Sequence, residues 1–385
     1  MLCLLQFLTH YRLLYCFIIG KYESQAIQNI VQNILSRNLK LLNVGDKLIG
    51  MERRLKEMAS LIHIDSNDVR MIGIYGIDGI GKTTLAKVVY NKIVHQFDGA
   101  SFLLNISSRE KDLLQLQKQP LRDILGEDIP SIKVISEGTH VISIGFALKR
   151  FLLFLMMLMI SGKLMSLLTI VEIFGPGSRI ILTSRDKHLL AMSEVDVPYM
   201  VKELNYKEAI QLFSLHAFHM NSPRKDFIGL SRCIVDYCKG LPIALEVLGS
   251  LLFDKKKCEW KSVLQRLEKR PSMQIQNVLM RGFQTLDMLE REIFLDVACF
   301  FKGEDLHFVQ RILDACNFFP AIGMRVLEDK SLISIFDKKL LMHDLMQEAG
   351  WEIVREQYHN EPGKWSRLLD PEDVHHVLTK NMVRA

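Results

Sequence analysis

Hydrophobic and polar positions change rhythm three times along this chain. Residues 21–45 are polar with an apolar stripe at Ile27, Ile30, Val31, Ile34 and Leu35, which predicts an amphipathic linker helix. Between 46 and 200, short apolar runs at 69–75, 101–106, 149–155 and 179–184 are separated by helical stretches. Such runs read as buried strands, and their alternation with helices predicts a parallel, doubly wound α/β sheet. From about 200 the pattern turns helical. Asn205, with Glu208 three residues on, reads as an N-cap with its capping box. Gly240 stops one helix and Pro242 opens the next at its first turn. A third region begins near Thr285, with a helix over 289–300 and, after more helix, a strand pair at 332–335 and 339–342 turned at Phe336-Asp337-Lys338. Helices followed by a small β-wing predict a winged helix. No internal repeat is visible.

One motif gives the α/β region its chemistry. Gly76-Ile77-Asp78-Gly79-Ile80-Gly81-Lys82-Thr83 spells G-x-x-x-x-G-K-T, between an apolar strand run and a helix start at Thr84. In that setting the loop amides and the positive helix N-terminus surround a polyphosphate. Lys82 would reach the β/γ oxygens and the Thr83 hydroxyl would ligate Mg²⁺. The nucleotide contacts expected from the loop are Gly76, Gly79, Ile80, Gly81, Lys82, Thr83 and Thr84. The fold class is therefore α/β: a P-loop NTPase domain with a parallel sheet at 46–200, a helical domain at 201–283 and a winged-helix domain at 284–385.

Composition narrows the partners. A chain of 385 residues suggests two or three domains. Its net charge of +5 is spread among interspersed acids and bases, and the short run Lys255-Lys256-Lys257 reads as a solvated loop, so no nucleic acid is expected. The seven cysteines are odd in number and lack paired metal-ligand spacing, which fits free thiols in a reducing cytosol. Residues 1–20 form an apolar segment with neither the basic start nor the cleavage site of a signal peptide. Arg12 at its centre disfavours a membrane span. A fragment start or gene-model artefact is the preferred reading of this segment, and a cytoplasmic location is expected.

The order of motifs carries a resemblance. After the phosphate loop come Phe174-Gly175-Pro176-Gly177-Ser178-Arg179-Ile180-Ile181-Leu182-Thr183-Ser184-Arg185 and Lys239-Gly240-Leu241-Pro242-Ile243-Ala244-Leu245. Phe294-Leu295-Asp296-Val297-Ala298-Cys299-Phe300-Phe301 and Met342-His343-Asp344 follow. Together these resemble the NB-ARC switch region of plant intracellular immune receptors, in the subclass that carries a TIR domain upstream. The resemblance implies an ADP/ATP cofactor with Mg²⁺. It further implies that Leu48-Ile49-Gly50 packs on the adenine, that Pro242 lies beside the base, that Arg185 senses the γ-phosphate, and that His343 reaches the ADP phosphate from the winged helix. Read without it, Arg185 is a surface ion pair, Pro242 a first-turn proline and His343 a structural histidine. With neither a TIR domain before residue 21 nor a leucine-rich repeat after residue 385, the chain reads as truncated at both ends.

Two positions depart from the family pattern. Asp78 stands where the family often has glycine, and its side chain is expected to point outward. The strand after Lys149-Arg150 should end in Leu-Asp-Asp, the pair that holds Mg²⁺ and helps polarise the attacking water. Here the chain reads Leu155-Met156-Met157-Leu158-Met159-Ile160, and thioethers do not ligate a hard cation that demands oxygen. Methionine has the single codon ATG. Read one base out of phase, its G joins the next AT as GAT, aspartate, so the shifted frame can spell Leu-Asp-Asp-Val-(Asn/Asp)-Asp. Residues 155–173 are thus expected to be out of frame, through paired indels or a mis-joined gene model, against the plain alternative of a Met-rich buried strand and helix. A transcript read across the stretch decides between them. The functional expectation is a defence-signalling switch, ADP-bound at rest and ATP-bound when active, with hydrolysis impaired. Its partners would be nucleotide and either further copies of itself or full-length receptors. The alternatives are a degenerate paralogue acting only by protein association and an active P-loop ATPase.

Overall fold

A computed structural model of the chain describes residues 41–106, 123, 150–157, 174–357, 362–368 and 371–379. The apolar segment 1–20, residues 21–40 of the expected linker helix and the stretch 158–173 lie outside the described residues; residues 41–45 carry no helix.

Helix α1 (Met51–Ile62) precedes a five-stranded parallel sheet of order β2-β3-β4-β1-β5. Its strands are β1 (Arg70–Tyr75), β2 (Gly99–Ile106), β3 (Phe151–Met157), β4 (Arg179–Thr183) and β5 (Val197–Met200). The first four match the apolar runs of the sequence. β5 escaped it because only Tyr199 of its four residues is buried, and Pro198 marks it as an edge strand. Helix α2 (Lys82–Ile93) follows β1 directly and buries Leu85, Ala86, Val89 and Tyr90. Tyr90 meets Phe102 and Phe154 edge-on, each with ring centroids 5.6 Å apart.

Arg179 ties α1 to the sheet. Its guanidinium is fully buried and donates to the carbonyls of Ile62, His63, Ser66, Asp68 and Ser178, while pairing with the Asp68 carboxylate at 3.3 Å. A buried cation is tolerable when so many acceptors surround it. α3 (Lys187–Met192) leads on to β5.

The helical region holds α4 (Tyr206–Ala217), α5 (Ile228–Cys238), α6 (Pro242–Leu252), α7 (Lys257–Lys269) and α8 (Met273–Leu279). The Asn205–Glu208 capping box and Pro242 at the first turn are both present. Trp260 sits at the centre of this core, 4.9–5.7 Å from the rings of Phe213, Phe218 and Phe227.

The last region comprises α9 (Met288–Asp296), α10 (Leu306–Ala315), α11 (Pro320–Asp329), β6 (Ser334–Phe336), β7 (Lys339–Leu341), α12 (Asp344–Glu356) and α13 (Pro371–Thr379). The helix expected over 289–300 is shorter than its pattern. It ends at Asp296 and widens into a π-turn over Val297–Phe301. The cause is on the facing helix: Gln347 and Trp351 both donate side-chain N–H groups to the Ala298 carbonyl at 2.9 Å, satisfying an acceptor that a regular helix would have used. The wing turns through Asp337 and Lys338, both at positive φ, the geometry of a two-residue hairpin. No helix among the described residues is long and apolar enough to cross a membrane. Cys233, Cys238, Cys258, Cys299 and Cys316 carry free thiols.

Candidate nucleotide site

The parallel sheet brings the carboxyl ends of β1, β3 and β4 to one edge, where open α/β sheets bind ligands. The glycine loop crosses this edge between β1 and α2. Gly79 and Gly81 take φ of +79° and +97°, values that side chains other than glycine's resist. Gly79 is constrained a second time: a Cβ there would lie 2.2 Å from Ile243 Cγ2, and the Ile243 N–H donates to the Gly79 carbonyl at 3.2 Å. The first turn of α6, opened by Pro242, thus rests on the phosphate loop. This contact joins the helical region to the site.

Between them lies a cavity of about 480 Å³, of the size that holds a small ligand. Ile49, Leu212, Pro242 and Ile243 give it an apolar wall. Five cations also line it, Lys47, Arg54, Lys82, Arg185 and Arg281, against the carboxylates Asp78 and Glu246. An excess of positive charge beside an apolar wall suits a ligand with an anionic end and a flat apolar end.

Lys82 donates to the Gly76 and Ile77 carbonyls of its own loop at 2.7 and 3.0 Å. Burial pushes its pKa down to about 8, against the pull of Asp78. Asp78 does not point outward as expected. Its carboxylate turns into the cavity, 2.8 Å from Arg185 Nε and 3.8 Å from Lys82 Nζ. Two cations on the cavity side outweigh solvation on the other, a preference that loop spacing does not encode.

Eight of the expected residues line the cavity: Ile49, Gly79, Gly81, Lys82, Thr83, Thr84, Arg185 and Pro242. Four do not. Gly50 caps α1 with φ +74°, and a Cβ there would lie 2.6 Å from Leu204 Cδ2. Gly76 supplies the carbonyl that Lys82 binds, and Ile80 is fully buried under the loop. His343 caps α12, its Nδ1 accepting the Leu345 N–H at 3.2 Å. Burial holds the ring below its usual pKa, although Glu203, Asp344 and a hydrogen bond to the Lys239 backbone pull it up.

Arg54 is the residue that sequence reasoning missed. It is 1 % exposed, and its Nη2 donates to the Lys202 carbonyl at 2.7 Å. Nε and Nη1 have no partner, and burial lowers its pKa. Nη1 lies 3.5 Å from where a Cβ on Gly81 would stand, beside the loop. A buried guanidinium with idle donors on a cavity wall is costly unless a ligand completes it. The signal available in the sequence was a basic residue within the apolar stripe of α1.

Mg²⁺ demands oxygen donors. The register sets Met156 of β3 opposite Thr183 of β4, and the residues that end β3, Leu155-Met156-Met157, include no carboxylate. The oxygen donors of the cavity wall include the Thr83 hydroxyl and the Asp78 carboxylate. Among the described residues no cluster of three or more His, Cys, Asp or Glu side chains could hold a metal on its own.

Comparison with known proteins accords with this geometry. The family model of the NB-ARC domain matches residues 51–223, and that of the winged-helix domain of disease resistance protein Roq1-like matches residues 287–358. Disease resistance protein RUN1 of Vitis rotundifolia is 47% identical over 364 residues, covering 93% of this chain and 27% of that protein. TMV resistance protein N of Nicotiana glutinosa is 35% identical over 370 residues, covering 94% of this chain and 32% of that protein. The chain thus spans about a quarter to a third of the length of these relatives. Among solved structures, the Walker-type ATPase PABY2304 of Pyrococcus abyssi aligns with TM-score 0.53 at 12% identity, over 79% of this chain and 96% of that one. The ORC2 protein of Aeropyrum pernix, solved as ADPNP-ADP complexes, aligns with TM-score 0.50 at 13% identity, over 83% of this chain and 98% of that one. At such identities the two structures speak to the fold alone.

Proposed function

The chain belongs to the NB-ARC family of plant disease resistance proteins, and from that premise we propose that it is a switch in defence signalling, worked by an adenine nucleotide. ADP holds the resting arrangement and ATP the active one, and a ligand shifts such states only through the contacts it makes differently in each. The observation that carries this reading is the clasp between Ile243 and Gly79: the cavity is walled jointly by the phosphate loop and by the helix that opens the next region. The base would lie against Ile49 and Pro242, with Gly50 fixing the turn before α1. The phosphates would displace Lys82 from the loop carbonyls and engage the Arg54 donors, Thr84 and Arg185. Thr83 would ligate the accompanying Mg²⁺. His343, buried at the N-cap of α12, is the winged helix's candidate contact to the diphosphate. Hydrolysis should be slow, because β3 supplies no carboxylate at its end. The domain limits stay as first read, at 46–200, 201–283 and 284–385. Location in the cytoplasm, and association with further copies or with full-length receptors, belong to the same proposal.

The test is the nucleotide content of the purified chain after denaturation and chromatography, with Lys82→Ala and His343→Ala in parallel. Stoichiometric ADP in the parent, lost with Lys82→Ala and reduced with His343→Ala, supports a working switch. An empty, folded parent sinks it and leaves protein association as the function.

A further inference from the structure

We propose that Asp78 is a built-in competitor for the terminal phosphate, which sets the preference of this site toward a nucleoside diphosphate over a triphosphate. The inference deepens the nucleotide reading above and rests on it. Asp78 occupies the third position of the phosphate loop. It is absent from the residues at positive φ, so the loop's backbone makes no special demand there and the side chain is free to act through its charge. That side chain is only 11% exposed and faces the cavity. One of its oxygens is held 2.8 Å from Arg185 Nε and 3.8 Å from Lys82 Nζ. An anionic oxygen between the loop lysine and a strand-end arginine is the coordination that a terminal phosphate oxygen would itself require.

The consequence differs for the two nucleotides. A third phosphate brings a further anionic group to these cations and must either share them with the carboxylate or expel it. Expulsion breaks the Arg185 pair, and sharing sets like charges within a few ångströms of each other. A diphosphate has no third group to accommodate and leaves the pair intact. The other acid of the cavity, Glu246, has Lys47 as its neighbouring charge and does not enter this competition. Burial raises the Asp78 carboxyl above its ordinary value, against the opposing pull of Lys82, Arg185 and Arg281.

The experiment measures dissociation constants of ADP and of a non-hydrolysable ATP analogue, with Mg²⁺ and with chelator, for the full chain and for Asp78→Asn. The asparagine keeps the volume and removes the charge. Asp78→Ser is read in the same way should the asparagine variant fold poorly. The expected result is a shift of about tenfold toward the triphosphate, carried by tighter analogue binding. The shift should shrink when Arg185→Ala has already removed the contested cation. Binding by both proteins with an unchanged ratio overturns the inference alone. Weaker analogue binding by Asp78→Asn together with a lost Mg²⁺ dependence overturns it in another way, making Asp78 a metal ligand. No nucleotide on either protein overturns the reading of the site and the inference with it.

Discussion

At the scale of single residues, the site is defined as much by unmet demand as by contacts. Arg54 is the clearest case, a guanidinium at 1% exposure with two donors unused. Buried ions without full pairing cost stability, and proteins retain them where a ligand supplies the missing partner. That reasoning separates a binding role from a structural one by the sign of two effects. Arg54→Met preserves the stem that packs in α1 and removes the charge. It should weaken ADP binding by about tenfold or more, since hydrogen bonds from charged donors contribute roughly 1.5–3 kcal/mol. It should leave the melting temperature of the nucleotide-free protein within a few degrees of the parent, because relief of burial offsets the lost bond to Lys202. Titration calorimetry and thermal melts measure the two. A large fall in melting temperature with unchanged ADP affinity would make Arg54 a structural residue.

Among the elements, what the sequence disclosed followed periodicity and punctuation. The four apolar strands, the Asn205–Glu208 box, the Pro242 start and the wing were all legible, because each depends on neighbours close in the chain. What was not legible depends on partners far away. The π-turn at Val297–Phe301 answers to Gln347 and Trp351. β5 is an edge strand with a proline and too little burial to show a pattern. Asp78 was expected outward because only backbone amides need face the phosphates; the partner that turns it inward, Arg185, lies more than a hundred residues on. The loop glycines lie between these cases: the motif called for Gly79, and the packing of Ile243 supplies a second reason for it. Gly79→Ala should therefore cost about 2 kcal/mol or more, through its φ of +79° and the 2.2 Å approach to Ile243 Cγ2. Part of that cost is specific to α6. In an Ile243→Ala background the same glycine substitution should cost measurably less, and chemical denaturation of the four proteins gives the coupling. Strict additivity would confine the effect to the loop backbone and detach α6 from it.

For the molecule as a whole, the question is what holds the winged helix against the rest. Among the polar contacts that cross to it are three of unequal burial. Tyr237 of α5 donates to Glu348 of α12 at 2.8 Å, Lys239 pairs with Asp344 at 3.4 Å, and Lys330 pairs with Asp186 at 3.6 Å. They are not equivalent. Lys239 and Asp344 are 52% and 42% exposed, and an exposed pair of that kind contributes about 1 kcal/mol at most. The Tyr237–Glu348 bond is part-buried, and burial raises the pKa of both groups, so its loss strands a carboxylate away from water. The last pair is set apart by its position: Asp186 follows Arg185, the arginine that Asp78 holds in the cavity. If docking of the winged helix and retention of ADP are one equilibrium, the contacts should affect ADP release in the order of their burial. Tyr237→Phe should speed release by about tenfold, the equivalent of roughly 1.4 kcal/mol in the closed state, whereas Lys239→Ala should change it less than about threefold. Stopped-flow release of a fluorescent ADP reads both. Equal, negligible effects from the two variants would mean that the winged helix docks without regard to nucleotide, and that the switch lies within the phosphate loop and α6.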